Sequence, residues 1–126
     1  LDIELSSKNI LKRFGKNKLI VSYHNFNTTP KSDEIVTIAK KALNFGAIAK
    51  CAFMPNSKKD VLEVMKAAEK LQGCRFVLIS MGDLGKVTRI LARFIGSEFT
   101  YGSVDEQVAP GQLSIEDMKK LVEVVY

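Results

Sequence analysis

The residues best suited to chemistry are a single histidine, in Ser22-Tyr23-His24-Asn25-Phe26 with Thr29-Pro30 after it, and a lysine, Lys50, one strand-helix-strand unit later. An imidazole titrates near neutral pH, and a lysine amine is a nucleophile once it has lost its proton. A base and an amine at the ends of neighbouring parallel strands are what imine-forming carbon chemistry requires. The pair points to a lyase.

The elements that would position these residues alternate regularly. Strands are expected at Leu1 to Leu5, Lys18 to Phe26, Ala47 to Met54, Arg75 to Met81 and Glu98 to Gly102, runs rich in Ile, Val, Phe and Tyr. Between them, Ser32 to Phe45 carries Ile35, Ile38, Ala39, Ala42 and Leu43 at helical spacing, with Ser32 as N-cap and Gly46 as stop. Lys58 to Leu71 repeats the design, with Ser57 before it and Gly73 after it. Further helices are expected at Val87 to Ile95 and Ser114 to Val125, and a short one at Ser7 to Phe14. Strict alternation of strand and helix requires crossovers and hence a parallel sheet. Two architectures fit: an open doubly wound sheet, or part of an eight-unit barrel of about 250 residues. Ser6-Ser7-Lys8 stands after the first strand, where a nucleotide-binding sheet would carry a glycine-rich loop.

Composition narrows the classes. The 126 residues, 46% of them hydrophobic, fit one domain over 1–126 with a core of its own. No run approaches the roughly 20 apolar residues of a membrane span, and Leu1 to Leu5 lacks the basic flank of a signal peptide, so a cytoplasmic protein is expected. The chain opens on a strand with no initiator methionine, as a piece of something longer would. Cys51 and Cys74 each sit in an apolar run and read as core. The net charge of +5 is dispersed: Lys58, Lys59, Lys66 and Lys70 are interleaved with Asp60, Glu63 and Glu69. That is a mixed solvated surface, so nucleic acid is not an expected partner, whereas a modest positive field suits an anionic substrate.

Several further landmarks occur in a characteristic order: Asp2-Ile3-Glu4, Gly46-Ala47 before Lys50, Ser80-Met81-Gly82, Thr88-Arg89-Ile90, Gly96-Ser97 and Ala109-Pro110-Gly111-Gln112. Together with the His24 motif they resemble the C-terminal part of the type I 3-dehydroquinate dehydratases, imine-forming enzymes of the shikimate pathway. The resemblance runs nearly end to end. It implies an α/β chain of the (β/α)8 TIM barrel family covering about strands four to eight. It also implies the activity of a hydro-lyase in aromatic amino-acid biosynthesis, which converts 3-dehydroquinate to 3-dehydroshikimate. The family's acidic and basic substrate-binding residues, and a Glu that hydrogen-bonds its histidine, are expected in the three units not represented here.

By this resemblance, Lys50 forms an imine with the C3 ketone, while His24 removes a C2 proton and helps expel the C1 hydroxyl as water. The protonated imine is the electron sink, so neither metal nor organic cofactor is expected. Alternation along a strand turns Lys50 inward, Cys51 outward under the helices, and Ala52 inward as a small neighbour. Burial and nearby cationic groups would favour the neutral amine by depressing an ordinary pKa of about 10.4. Arg89 matches the family's carboxylate anchor, with Arg93 as a decoy one turn later; Met81 lines the pocket; Gln112 hydrogen-bonds the substrate from a covering loop over residues 105–112. The expected partner is the small-molecule substrate, with no membrane, and a homodimer is left open.

Two departures stand out. Val108 occupies the position before Ala-Pro-Gly-Gln where family members commonly have serine, and Gly46-Ala47-Ile48-Ala49-Lys50 is one residue shorter than the common pattern and lacks its Asp. Two other functions compete with the dehydratase: a different Schiff-base aldolase or lyase, and a non-catalytic barrel fragment that needs a partner half.

Overall fold

Short apolar runs separated by amphipathic segments fold as their periodicity requires. The computed structural model describes residues 1–99, 102–103, 113–117 and 119–120. Four parallel strands form one sheet in sequential order: β1 (Asp2–Glu4), β2 (Ile20–Asn25), β3 (Ile48–Phe53) and β4 (Phe76–Ser80). The connections carry α1 (Lys8–Leu11), α2 (Ser32–Leu43) and α3 (Lys58–Lys70), and α4 (Lys86–Ile90) and α5 (Ala92–Ile95) follow β4. A two-residue parallel pair, β5 (Gly102–Ser103) with β6 (Leu113–Ser114), stands apart from this sheet.

The sheet separates two environments. Val21, Ala49, Cys51, Phe53, Phe76 and Leu78 pack against Ile35, Ala39, Ala42, Val64, Ala67 and Leu71 of the covering helices, forming the main core. The alternate positions Ala52, Val77, Ile79 and Met81 form a smaller apolar cluster with Ile48, Met54 and Phe99. Cys51 and Ala52 thus fall on opposite faces, as strand alternation requires. Cys51 is fully buried, whereas Cys74 is only half-buried at the margin of the core. Gly46 sits where the chain enters β3; a Cβ there would lie 2.6 Å from the Val21 side chain, so only glycine lets the two segments close up.

Several elements differ from the sequence expectations. Of the fifth strand expected at Glu98 to Gly102, Glu98 and Phe99 are not strand, Gly102 belongs to β5, and positions 100 and 101 lie outside the described residues. The Ser97 hydroxyl accepts the Leu78 N–H at 3.1 Å, in place of a strand carbonyl, and Glu98 N–H donates to Phe76 O at 2.8 Å. A side chain has taken a ladder position beside β4. The helix expected at Val87 to Ile95 is broken at Leu91, whose φ of −93° and ψ of 15° leave the α region. Lys31 rather than Ser32 is the N-cap of α2, and the Ser32 N–H is satisfied from another helix, by Glu63 Oε1 at 3.1 Å. The first helix shrinks to one turn. Of the helix expected at Ser114 to Val125, Ser114 instead ends β6, positions 115–117 and 119–120 are helical, and 118 and 121–125 lie outside the described residues.

Candidate active site

Strands buried on both faces of a parallel sheet normally read as continuous apolar runs. Here one face breaks that rule. Asp2 and Glu4 on β1, Ser22 and His24 on β2, and Lys50 on β3 occupy positions two apart and in register: Ser22 is level with both Glu4 and Lys50, and His24 with Ala52. The sheet therefore brings His24 and Lys50 together on one face, as their spacing implied.

Each has a carboxylate partner. Glu4 hydrogen-bonds His24 Nδ1. A carboxylate only accepts, so Nδ1 carries the proton and Nε2 is left as the basic nitrogen. The ring is also stacked on Phe26, with centroids 5.7 Å apart and planes 6° apart. Lys50 Nζ donates to Asp2 Oδ2 at 3.0 Å, and the Ser22 hydroxyl donates to Asp2 Oδ1. The Lys50 side chain is 15% exposed, a nearly enclosed amine. Its ion-pair partner is anionic, where cationic neighbours were expected to free the amine of its proton.

The ends of the strands are pinned as well. Asn25 Oδ1 accepts from the N–H groups of Asn27 and Thr28, both at 3.0 Å, and the Thr29 hydroxyl donates to Met54 O at 2.8 Å. This ties the loop after His24 to the end of the Lys50 strand. A cleft of about 420 Å³ opens beside the imidazole, with Glu4, Lys8, Tyr23, His24 and Lys41 among its walls. Lys50 is not one of them, so this cleft alone does not define the site.

Met81 is buried on the same side of the sheet as Ala52 and Ile79. Arg89 lies in α4 and is only 4% exposed; its Nε has no hydrogen-bond partner, and burial lowers the guanidinium from its ordinary value. Among the described residues it has no acidic partner. A buried cation left so is suited to receive an anion. Cys51, though adjacent to Lys50 in sequence, is pushed up to about 12, chiefly by burial and secondarily by the Glu4 charge, so it is not a nucleophile near neutral pH. Among the described residues no group of three or more His, Cys, Asp or Glu stands where it could hold a metal ion. Nor is any helix among them long and apolar enough to cross a membrane.

The face therefore presents an imidazole and an amine on neighbouring strands, each with its own carboxylate; a buried guanidinium lies in the helix after the next strand. A family model for type I 3-dehydroquinase matches residues 1–126. The chain belongs to that family. It is 43% identical over 132 residues to a 3-dehydroquinate dehydratase of Hydrogenobaculum sp., an alignment covering 99% of this chain and 60% of the relative. Among solved structures, the 3-dehydroquinate dehydratase of Aquifex aeolicus shares 39% identity at a TM-score of 0.84, covering 99% of this chain and 59% of that one. A type I enzyme from Clostridium difficile, solved with covalently modified comenic acid, shares 28% identity at a TM-score of 0.85, covering 98% and 54%. The chain spans about 60% of the length of the curated relatives it matches. Its four-stranded parallel sheet is thus part of a type I 3-dehydroquinase barrel.

Within this chain, the acid that meets the histidine is Glu4. Asp2, Glu4 and Ser22 stood in the landmark motifs without a role. The signal that could have found them is the i, i+2 polar pattern in β1 and β2, repeated by Lys50 in β3. Gln112, Val108 and the covering loop lie outside the described residues.

Proposed function

We propose that the protein carrying this chain is a 3-dehydroquinate dehydratase working through an imine on Lys50, with 1–126 a single domain forming the C-terminal portion of its barrel. What carries the reading is the juxtaposition of His24 and Lys50 on neighbouring strands, in a chain of this family, with Glu4 leaving His24 Nε2 basic. The Clostridium difficile relative with covalently modified comenic acid agrees with covalent chemistry in the family.

In this reading Lys50 Nζ adds to the C3 ketone and water leaves, giving a protonated imine that draws electron density from C2. His24 Nε2 takes the C2 proton, and the C1 hydroxyl departs as water with a proton returned by the imidazolium. Arg89 receives the substrate carboxylate, Met81 lines the pocket and Gln112 closes over the substrate oxygens. The protonated imine serves as the electron sink.

The test is a dehydratase assay on the purified protein, following the ultraviolet absorbance of the conjugated product formed from 3-dehydroquinate. The parent turns over, and Lys50→Ala loses activity by many orders of magnitude because the covalent route is gone. No turnover by the folded parent, or a Lys50→Ala variant within tenfold of it, contradicts the proposal.

A further inference from the structure

Asp2 and Lys50 belong to strands that are not neighbours. The strand between them contributes Ser22, level with Lys50 and buried, and adjacent strands lie about 4.8 Å apart, so the two side chains must meet above it. They meet because Ser22 is small: its hydroxyl donates to Asp2 Oδ1 while Lys50 Nζ donates to Oδ2 at 3.0 Å. One carboxylate is thus held at both oxygens, the second of them against the amine. A carboxylate serving only as a counter-ion would not need its other oxygen fixed.

We propose that Asp2 is a catalytic residue that takes the proton from Lys50 and returns it when the imine forms. This rests on Lys50 being the imine-forming amine. In the resting pair the nitrogen is an ammonium and Asp2 is ionised. Transfer of one proton from Nζ to Oδ2 leaves a neutral amine and a neutral acid. The amine's lone pair forms the bond to the ketone carbon, and a nitrogen-bound proton moves to the carbonyl oxygen, giving the carbinolamine. The Asp2 proton then goes to the departing hydroxyl, the carbon–oxygen bond breaks, and water leaves. The carboxylate is regenerated opposite a protonated imine. Nitrogen carries one positive charge at the beginning and at the end, and Asp2 one negative, so the step needs no proton from solvent. Ser22 is a positioning residue that keeps Oδ2 turned to the amine.

Among the described residues, the groups on the elements around Lys50 allow the assignment to be tested by pH. β1 presents Asp2 and Glu4, the latter engaged with His24; β2 presents His24 itself; β4 presents the apolar Val77 and Ile79; α4 carries the buried Arg89. The experiment is timed borohydride trapping of 3-dehydroquinate on the purified protein, with the Lys50 adduct measured by mass and the fold checked by circular dichroism. In the parent, adduct formation is rapid and flat with pH between about 6 and 8, because the proton stays within the pair. Asp2→Asn keeps the shape and an acceptor for Ser22. It slows adduct formation about 100-fold at pH 7, within the range of general acid–base catalysis, and its rate rises with pH as solvent takes over the proton. Ser22→Ala, which keeps the carboxylate, slows the same step about fivefold, the worth of one net hydrogen bond, and leaves it flat.

An Asp2→Asn variant as fast as the parent, or faster, shows that Asp2 only holds the ammonium, and the inference falls. The same loss at every pH would make Asp2 structural and also overturns it. A parent that forms no adduct at Lys50 removes the underlying reading as well, an outcome distinct from the other two.

Discussion

His24 stands level with Ala52 on the neighbouring strand, two residues beyond Lys50, so its backbone lies roughly 6.6 Å further toward the C-terminal ends of the strands than that of Lys50. The methyl of Ala52 is the small side chain beside it, and the Glu4 bond and the Phe26 stack fix the ring. In the proposed reaction, bond formation falls to the lysine and proton transfer to the histidine.

The first prediction follows from that separation. His24→Ala still forms a covalent adduct with 3-dehydroquinate, but its turnover falls by about 10² to 10⁴, the usual contribution of a positioned acid–base group. Intact mass after borohydride, together with steady-state kcat, checks both halves. A variant that turns over at the parent's rate would assign the proton to another group.

Arg89 should trade stability for binding. Its guanidinium is desolvated and its Nε unpaired, so Arg89→Met removes a buried charge that the fold does not use. We expect Tm to hold or rise, while KM for 3-dehydroquinate worsens by about 2 to 4 kcal/mol as a charge-assisted pair is lost. An unchanged KM, or a fall in Tm of several degrees, would give Arg89 a structural role instead.

Cys51 supplies a pH signature of the core. Its thiol, ordinarily near 9.0, is pushed up to about 12, chiefly by burial. Because the folded value is the higher one, its contribution to stability is complete below about pH 9 and is lost as pH rises toward 12, by about 1.4 kcal/mol per pH unit. Denaturant titrations at pH 8 and pH 10 should therefore show a larger alkaline loss for the parent than for Cys51→Ala. Equal losses would show that Cys51 reaches water in the folded state.

His24 and Lys50 were legible in the sequence because a lone histidine and a lysine one crossover apart must fall on adjacent parallel strands, whatever the strands' limits. Asp2 and Glu4 were less so. An acidic pair in a three-residue strand looks the same whether it faces solvent or a site, and only the register with Ser22 decides. The break at Leu91 has no glycine or proline to announce it. Ser97 replaced a strand carbonyl through a tertiary hydrogen bond that local propensity does not encode. The burial of Arg89 likewise depends on how α4 packs, since Arg89 and Arg93 look equivalent along an amphipathic segment.

Whether Lys50 is the nucleophile is decided by borohydride reduction of the purified protein in the presence of 3-dehydroquinate, followed by peptide mass mapping. The expected result is a stable adduct on the peptide containing Lys50, present in the parent and in His24→Ala and absent from Lys50→Ala. A folded parent that gains no mass, or that carries the adduct on a different lysine, would contradict it.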